Sequence, residues 1–154
     1  NFNSDFHVMP PFRANEDMVA LQKSISENTL TAICSDHQPH NKDAKQAPFY
    51  NTQPGISSIE LLLPLLMELV NLNFLDLNTA ISKVTINPAK ILGIEAGIIQ
   101  KDSQADLCIL KKEEWQLEGD KIISSGKNNP YIGKKFNMVV AKTIFKGQIV
   151  YENN

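Results

Sequence analysis

Residues 30–40 read Leu-Thr-Ala-Ile-Cys-Ser-Asp-His-Gln-Pro-His and join a short apolar run to a polar loop. The run from Leu30 to Cys34 has the length and the apolar character of a buried strand, and the proline in the loop stops regular structure. In parallel α/β folds, functional sites form where strands end in loops. The stretch therefore predicts a strand of a parallel sheet with candidate site residues at its carboxyl end.

The segment upstream predicts a second unit of the same kind. Asp5 to Met9 can be extended, and the Pro10-Pro11 pair ends that conformation because proline supplies no N–H. Asn15 can serve as an N-cap, and apolar positions from Met18 to Ile25 then follow a 3.6-residue period. Alternating strands and helices predict a parallel sheet covered by helices, either doubly wound or closed into a barrel. A complete (β/α)8 barrel takes about 250 residues, so a chain of 154 residues holds only part of one.

Residues 59–72 predict a helix that is apolar on nearly all sides and therefore buried. Ser57 and Glu60 precede it at capping-box spacing, and Pro64 predicts a kink. Residues 77–84 continue the helical pattern.

The remaining chain changes from helical to strand-like patterns. Asn87 followed by proline predicts the start of a short helix that Gly93 can close. Residues 105–110 and 138–151 are strand-like, and the turn at Lys146-Gly147 folds the second run into a hairpin. A small β region thus follows the βα-type units.

Composition and charge exclude several classes of partner. The chain has 15 Lys and Arg against 17 Asp and Glu, a formal net charge of -2. These dispersed charges lack the field that attracts nucleic acid or an anionic membrane. The longest apolar stretch, residues 59–70, is interrupted by Pro64 and Glu68 and is shorter than the roughly 20 residues that span a bilayer. We therefore expect neither nucleic acid nor a membrane as a partner.

The chain has only two cysteines, Cys34 and Cys108, which lie far apart in apolar strand-like runs. This usage argues against a disulfide framework and favours a reducing, cytoplasmic setting. We expect both thiols to be small core residues.

Asp36 is the main candidate for chemistry, since it lies where the predicted strand meets the loop that also carries His37 and His40. One Asp36 oxygen could bind a metal ion while the other exchanges a proton with water at the metal. His40 could ligate a metal or donate a hydrogen bond to a substrate carboxylate. The alternative is a solvated turn in which Asp36 caps local N–H groups.

Two other arrangements of these side chains are disfavoured. A catalytic triad of Ser35, Asp36 and His37 conflicts with geometry, because neighbours on an extended chain point to opposite faces. A self-contained zinc site from Cys34, Asp36, His37 and His40 is also strained, because structural sites usually join two separated ligand pairs.

Two further residues near the predicted first strand have ordinary explanations beside functional ones. A lone histidine such as His7 on a strand is more often packed than a metal ligand. Arg13 follows the rigid Pro-Pro pair and could bind an anion, although a salt bridge or a carbonyl contact is the commoner use.

The Ser-Asp-His-Gln-Pro-His segment at residues 35–40 resembles the Ser-Asp-His-x-Pro-His signature with which the last barrel strand ends in dihydroorotases of the amidohydrolase superfamily. The resemblance covers essentially the full chain. It extends to residues 7–13, 55–64, 85–93, 105–107, 125–133 and 143–151.

This resemblance implies a fold class and a division of the chain. Residues 1–96 would be the last βα units of a (β/α)8 TIM-type barrel, and residues 97–154 would form the C-terminal β region of a small sandwich domain. The chain starts at Asn1 without an initiator Met, so we expect it to be a segment of a longer protein whose N-terminal barrel segment is its partner.

The resemblance also implies an activity, zinc-dependent hydrolysis of the cyclic amide of dihydroorotate to N-carbamoyl-aspartate in pyrimidine biosynthesis. Asp36 would be a zinc ligand and the general acid and base, and His40 would bind the substrate carboxylate. Pro54, Gly55 and Met9 would contribute to substrate binding, with His37 and Arg13 in supporting roles. Only three histidines are present, so most ligands of a site with one or two zinc ions would lie upstream and this segment alone would be inactive.

The chain departs from the family pattern at several of these positions. Met9 stands where many members have asparagine, Pro54 where an aromatic residue often precedes the glycine, and Ser58 and Leu61 where glycine and threonine are usual. These departures concern the substrate contact at Met9 and the loop around Gly55, whereas Asp36 and His40 match the signature.

Two other functions stay open. One is a non-catalytic dihydroorotase-like protein that acts as a structural partner, for example of aspartate carbamoyltransferase. The other is a related hydrolase with a different cyclic amide as substrate, for which Met9 is the best support. A homodimer is a further option for either reading.

Overall fold

A computed structural model describes residues 2–153, so Asn1 and Asn154, at the outer ends of the two predicted domains, lie outside the described residues. In this part of the chain, four α-helices precede a three-stranded sheet. The helices are α1 (Asn15–Ser26), α2 (Leu62–Asn71), α3 (Leu77–Val84) and α4 (Ile86–Leu92), and the strands are β1 (Leu107–Gln116), β2 (Lys135–Phe145) and β3 (Gln148–Glu152).

The predicted helix after the Pro-Pro pair is confirmed as α1, with one change at its start. Asn15 is the first helical residue, and the extended residue before it is Ala14, whose side chain can make no cap. Glu16 and Asp17 lie in the first turn, where carboxylates interact favourably with the helix dipole. The predicted N-cap at Asn15 is therefore wrong by one position.

Neither predicted strand of the first part forms a ladder among the described residues. Residues 4–6 make a 3-10 turn, because the Asn3 side chain accepts a hydrogen bond from the Asp5 N–H at 3.0 Å. The segment 30–34 is not a strand, and its backbone is tied to α3 through Ile33 N–H donating to the Lys83 carbonyl at 3.0 Å. A strand requires a hydrogen-bonded neighbour along its length, and only an isolated parallel bridge, His37 with Ile56, is present. The predicted barrel is thus not shown by residues 2–153.

The apolar helix α2 is confirmed, but its start differs from the prediction. A 3-10 turn, Ile59–Leu61, precedes it, and Pro64 lies in its first turn, where a missing N–H costs no helical hydrogen bond. The predicted kink is therefore not required. The capping box is wrong, because the Glu60 carboxylate accepts hydrogen bonds from Ile123 N–H at 3.0 Å and Ser124 N–H at 2.8 Å.

The helices α3 and α4 follow the predicted segments. The Asp76 side chain caps α3 by accepting from Thr79 N–H at 3.0 Å. The hydrogen bond from the Thr79 hydroxyl, together with the one from its N–H, lowers the pKa of Asp76. Thr85 rather than Asn87 precedes α4, and the Asn87 side chain donates to the Thr31 carbonyl at 2.9 Å instead. Gly93 closes α4 in the left-handed conformation, as predicted.

The three strands form an antiparallel sheet in the order β1-β2-β3. Phe145 pairs with Gln148, and the two residues between them, Lys146 and Gly147, both have positive φ. This is the geometry of a two-residue hairpin turn, so the predicted hairpin is confirmed.

Helix α2 lies between two core clusters. Leu61, just before the helix, packs with Leu117, Ile122 and Phe136 of the β region. On another side, Leu66 and Met67 pack with Leu75 and Ala80 around α3. The first cluster therefore joins residues from both sides of the predicted domain boundary, which lies between residues 96 and 97.

The cysteine prediction is wrong in one respect, because Cys34 and Cys108 are both exposed free thiols. Within residues 2–153, no helix combines the length and the apolarity needed to cross a bilayer.

Lys83 is a fully buried lysine, with 0% of its surface exposed. Its ammonium donates to the Asn28 side-chain oxygen at 2.9 Å and to the Leu30 carbonyl at 2.5 Å. Both acceptors lie between α1 and the candidate loop, so this side chain ties α3 to the segment that leads to Asp36.

Replacing Lys83 with methionine tests this tie. Lys83→Met keeps the side-chain length but leaves two oxygens without a donor, so we expect the free energy of unfolding to fall by about 1–3 kcal/mol. The control is Lys90→Met on the exposed side of α4, which we expect to change it by less than about 0.5 kcal/mol. Urea unfolding of the natural protein measures both, and equal effects of the two variants would contradict the assignment.

Candidate active site

Asp36 lies on the loop as predicted, with an exposed side chain and a positive φ of 44°. Such a backbone conformation is uncommon for residues other than glycine, and Asp adopts it more readily than most. Gln38 donates from Nε2 to Oδ1 of Asp36 at 3.2 Å. Within residues 2–153 no hydrogen bond reaches Oδ2, so one carboxylate oxygen faces solvent.

The His37 ring fixes the loop from the other side of the backbone. Its Nδ1 accepts hydrogen bonds from the N–H groups of Ser58 at 3.0 Å and Ile59 at 3.1 Å. Nδ1 therefore carries no hydrogen, and Nε2 donates to Ser124 Oγ at 3.3 Å. Because both ring nitrogens of His37 make hydrogen bonds within the protein, the ring holds the loop and has no nitrogen left for a ligand.

His40 is placed against the second candidate segment. Its Nε2 lies 2.9 Å from the Pro54 carbonyl oxygen, which only accepts, so Nε2 donates. The ring nitrogen left for another molecule is Nδ1. The structure thus brings His40 and Pro54 together, although they are 14 residues apart in the chain.

Gly55 lies buried at the contact of three segments. It has a φ of +135°, and a Cβ atom added there would lie 2.5 Å from Gln38 Cβ. Its N–H donates to the His7 carbonyl at 2.8 Å. Only glycine fits here, because both the conformation and the space exclude a side chain.

His7 is packed rather than free. Thr52 Oγ1 donates its hydrogen to the Phe49 carbonyl at 2.7 Å, so this hydroxyl oxygen accepts from His7 Nδ1 at 2.7 Å. The ring also packs on Phe49 with centroids 4.6 Å apart. The expectation of a packed histidine agrees with this geometry.

Lys45 was not predicted as part of the site, but its side chain reaches the His7 carbonyl, which also accepts from Gly55 N–H. Its ammonium donates to the carbonyls of Ser4 at 3.1 Å and His7 at 3.3 Å. Burial lowers the pKa of Lys45, and the nearby Asp5 carboxylate offsets part of that effect.

Met9 and Arg13 do not join the cluster. The Met9 side chain is 62% exposed, and Arg13 is exposed with no ion pair or hydrogen bond of its side chain among residues 2–153. No contact within residues 2–153 supports the predicted role of Met9 in substrate binding or that of Arg13 in supporting the site.

Two buried asparagines, Asn128 and Asn129, connect the site to the later part of the chain. Asn128 donates to the carbonyls of Gln38 at 3.1 Å and Gly55 at 3.0 Å, and Asn129 donates to the carbonyl of Ser57 at 2.7 Å. No motif marks them as polar residues of a site. The only sequence signal is their position in a segment, residues 125–133, that resembles the family pattern.

The donor set fits one position of a metal centre. In the described part of the chain, no group of three or more His, Cys, Asp or Glu side chains could hold a metal ion. Asp36 offers an exposed oxygen of the kind that zinc and other divalent cations accept. His37 uses both ring nitrogens and His40 uses one, so within residues 2–153 these side chains do not form a complete metal site.

Comparisons with known proteins agree on one family. The amidohydrolase family model matches residues 10–150. A dihydroorotase-like protein of Pseudomonas aeruginosa is 40% identical over 98% of this chain, and a dihydroorotase of Geotalea daltonii is 34% identical over 99% of it. The chain spans 36% of the length of each of these relatives. The solved L-hydantoinase (dihydropyrimidinase) of Arthrobacter aurescens superposes with a TM-score of 0.90 at 25% identity, over 98% of this chain and 35% of that one.

Alanine at position 55 tests the close approach of the two loops. Gly55→Ala must relieve both a positive φ and a 2.5 Å contact, whereas Gly147→Ala meets nothing within 4 Å. We expect Gly147→Ala to cost about 1–2 kcal/mol of unfolding free energy. Gly55→Ala should cost a further 1–3 kcal/mol or so from overpacking. Urea unfolding measures both, and equal losses would mean that the loops separate freely.

Proposed function

The chain belongs to the amidohydrolase family, and from this membership we propose that the natural protein is a dihydroorotase. The reaction is hydrolysis of the cyclic amide of dihydroorotate to N-carbamoyl-aspartate, with cyclisation in the reverse direction serving pyrimidine biosynthesis. One observation supports this most directly. The exposed Asp36 carboxylate and the His40 ring lie on one short loop, and His40 is bonded to the backbone beside Gly55.

Asp36 is the proposed metal ligand and proton carrier of this chain. A zinc ion bound there would lower the pKa of water and polarise the amide carbonyl. The carboxylate has two oxygens in different surroundings, one bonded to Gln38 and one facing solvent. Such a group can hold a cation and still move a proton to the amide nitrogen that leaves.

His40 is the proposed binding residue for the substrate carboxylate. Because Nε2 donates to Pro54, Nδ1 is the atom that can face a ligand. Nδ1 donates to a carboxylate when the ring is doubly protonated, and the positive charge then adds to the attraction. Gly55, with Pro54 before it, places backbone close to the same point.

Several finer expectations belong to the same proposal. They are the division at residues 96 and 97, the (β/α)8 barrel with its sandwich, dependence on one or two zinc ions, a cytoplasmic location and a homodimer. Met9 and Arg13 keep their proposed roles, substrate contact and support, through atoms that are exposed in this structure.

A second candidate function is a non-catalytic partner protein of dihydroorotase fold. The Pseudomonas aeruginosa relative, which is called a dihydroorotase-like protein, favours this candidate. Absence of hydrolysis by the zinc-loaded natural protein would decide for this candidate, whereas turnover of dihydroorotate would decide against it.

Substitution of Asp36 tests the proposed chemistry. Asp36→Asn keeps the shape but loses the charge and the proton-accepting oxygen, so we expect kcat for dihydroorotate hydrolysis to fall by about 10²–10⁴-fold. The matched control is Asp43→Asn, an exposed carboxylate of the following 3-10 turn, for which we expect no change. Steady-state kinetics together with zinc per chain give the answer. Wild-type kcat in Asp36→Asn would refute the assignment.

Substitution of His40 tests the substrate class. His40→Ala should raise KM for dihydroorotate by about tenfold or more, because a charge-assisted hydrogen bond is lost. A cyclic amide without the carboxylate, such as dihydrouracil, should show no such increase. An equal rise in KM for both compounds would mean that His40 does not read the carboxylate, and the reading as a different cyclic amidohydrolase would be favoured.

A further inference from the structure

Asn128 makes three side-chain hydrogen bonds to the two loops of the candidate site. Only 6% of it is exposed. Its Oδ1 accepts from His40 N–H at 2.7 Å, and its Nδ2 donates to the carbonyls of Gln38 at 3.1 Å and Gly55 at 3.0 Å. The orientation of the amide is unambiguous, because the first partner is a donor and the other two are acceptors.

These bonds join segments that are remote in the chain. Asn128 is 88 residues from His40 and 73 from Gly55. Its own carbonyl also accepts from Ser57 N–H at 2.9 Å. Asn128 therefore holds the backbone of both loops of the proposed substrate site. One loop carries the His40 side chain, and the other carries the Gly55 backbone.

The close approach of this segment has a second, steric support at Gly126. A Cβ atom at Gly126 would lie 2.4 Å from the His40 nitrogen and 2.6 Å from Pro39 Cβ. The chain can therefore pass directly against the loop only with glycine at this position. Residues 126–128 thus pack closely against the loop and are also hydrogen-bonded to it.

We propose that Asn128 is a positioning residue for substrate binding, whose side-chain amide sets the spacing between His40 and Gly55. The proposal rests on the proposed function, since it assigns the clamped loops to the carboxylate and the ring of a cyclic amide. Its physical basis is that a buried amide with every donor and acceptor used allows little movement of its partners. Asn128 acts through these two residues and does not itself reach the substrate.

Asn129 provides a matched control. It is equally buried, 3% exposed, and it also makes two side-chain hydrogen bonds, donating to the Ser57 carbonyl at 2.7 Å and accepting from Tyr131 N–H at 2.9 Å. Neither bond reaches residues 38–40 or 54–55. A general loss of stability should therefore follow from either substitution, whereas a loss of positioning should follow from Asn128→Ala alone.

The first measurement is steady-state kinetics of the full-length natural protein and its variants. Asn128→Ala should raise KM for dihydroorotate by about tenfold or more with a much smaller change in kcat, since the group lost orients binding residues. Asn129→Ala should leave KM near the wild-type value. Equal increases in KM would overturn the proposal and assign both asparagines to folding alone.

The second measurement is amide-resolved hydrogen exchange, which needs no activity. Asn128→Ala should remove protection from His40 N–H and leave Tyr131 N–H protected, and Asn129→Ala should do the reverse. Retained protection of His40 N–H in Asn128→Ala would overturn the clamp, that is, the proposed positioning of His40 and Gly55 by the Asn128 side chain. If Asn128→Ala does not fold, Asn128→Ser, with a shorter side chain that cannot span the three partners, is measured with the same expectations.

The two measurements separate this inference from the proposed function. A wild-type protein without activity on dihydroorotate, combined with the expected exchange pattern, would refute the proposed function and support the clamp. An active wild-type protein with equal effects of both substitutions would support the function and refute the clamp.

Discussion

The burial of helix α2 is the constraint on which the rest of this structure depends. The helix is apolar on several sides, and it contacts α3 through Leu66 and Met67 while Leu61, just before it, packs with the β region. Removing so much apolar surface from water is the main favourable term in folding. Leu65 of α2 also packs against the first cluster, so the helix contributes to both clusters and fixes where the sheet lies relative to α3.

Polar contacts refine what this packing allows. The turn before α2 supplies two N–H groups to His37 and the Glu60 carboxylate to the backbone of residues 123 and 124. These bonds tie the start of the helix to the loop on one side and to the later chain on the other. His37, Glu60 and Ser124 are half-buried, so loss of a partner would cost free energy, and the bonds favour this one arrangement.

The site combines an exposed reactive group with a rigid support. Asp36 faces solvent, whereas the residues around it are held by backbone carbonyls, backbone N–H groups and buried amides. Binding groups on a rigid support lose little freedom when a ligand arrives. His37 and Asn128 belong to this support, because each makes three side-chain hydrogen bonds that hold the loop and neither needs to touch a substrate.

The sequence by itself determined the helices, the hairpin and the identity of the loop that carries Asp36. Helical period, the Lys146-Gly147 turn and Gly93 are local signals, and each is read from a few neighbouring residues. Only the tertiary structure decided the partners of Lys83, Glu60 and Asn128, since these groups bond to residues between 53 and 90 positions away. The exposure of Cys34 and the absence of a ladder at residues 30–34 were decided in the same way. Burial and strand pairing depend on which distant segments come into contact, and no local pattern encodes that.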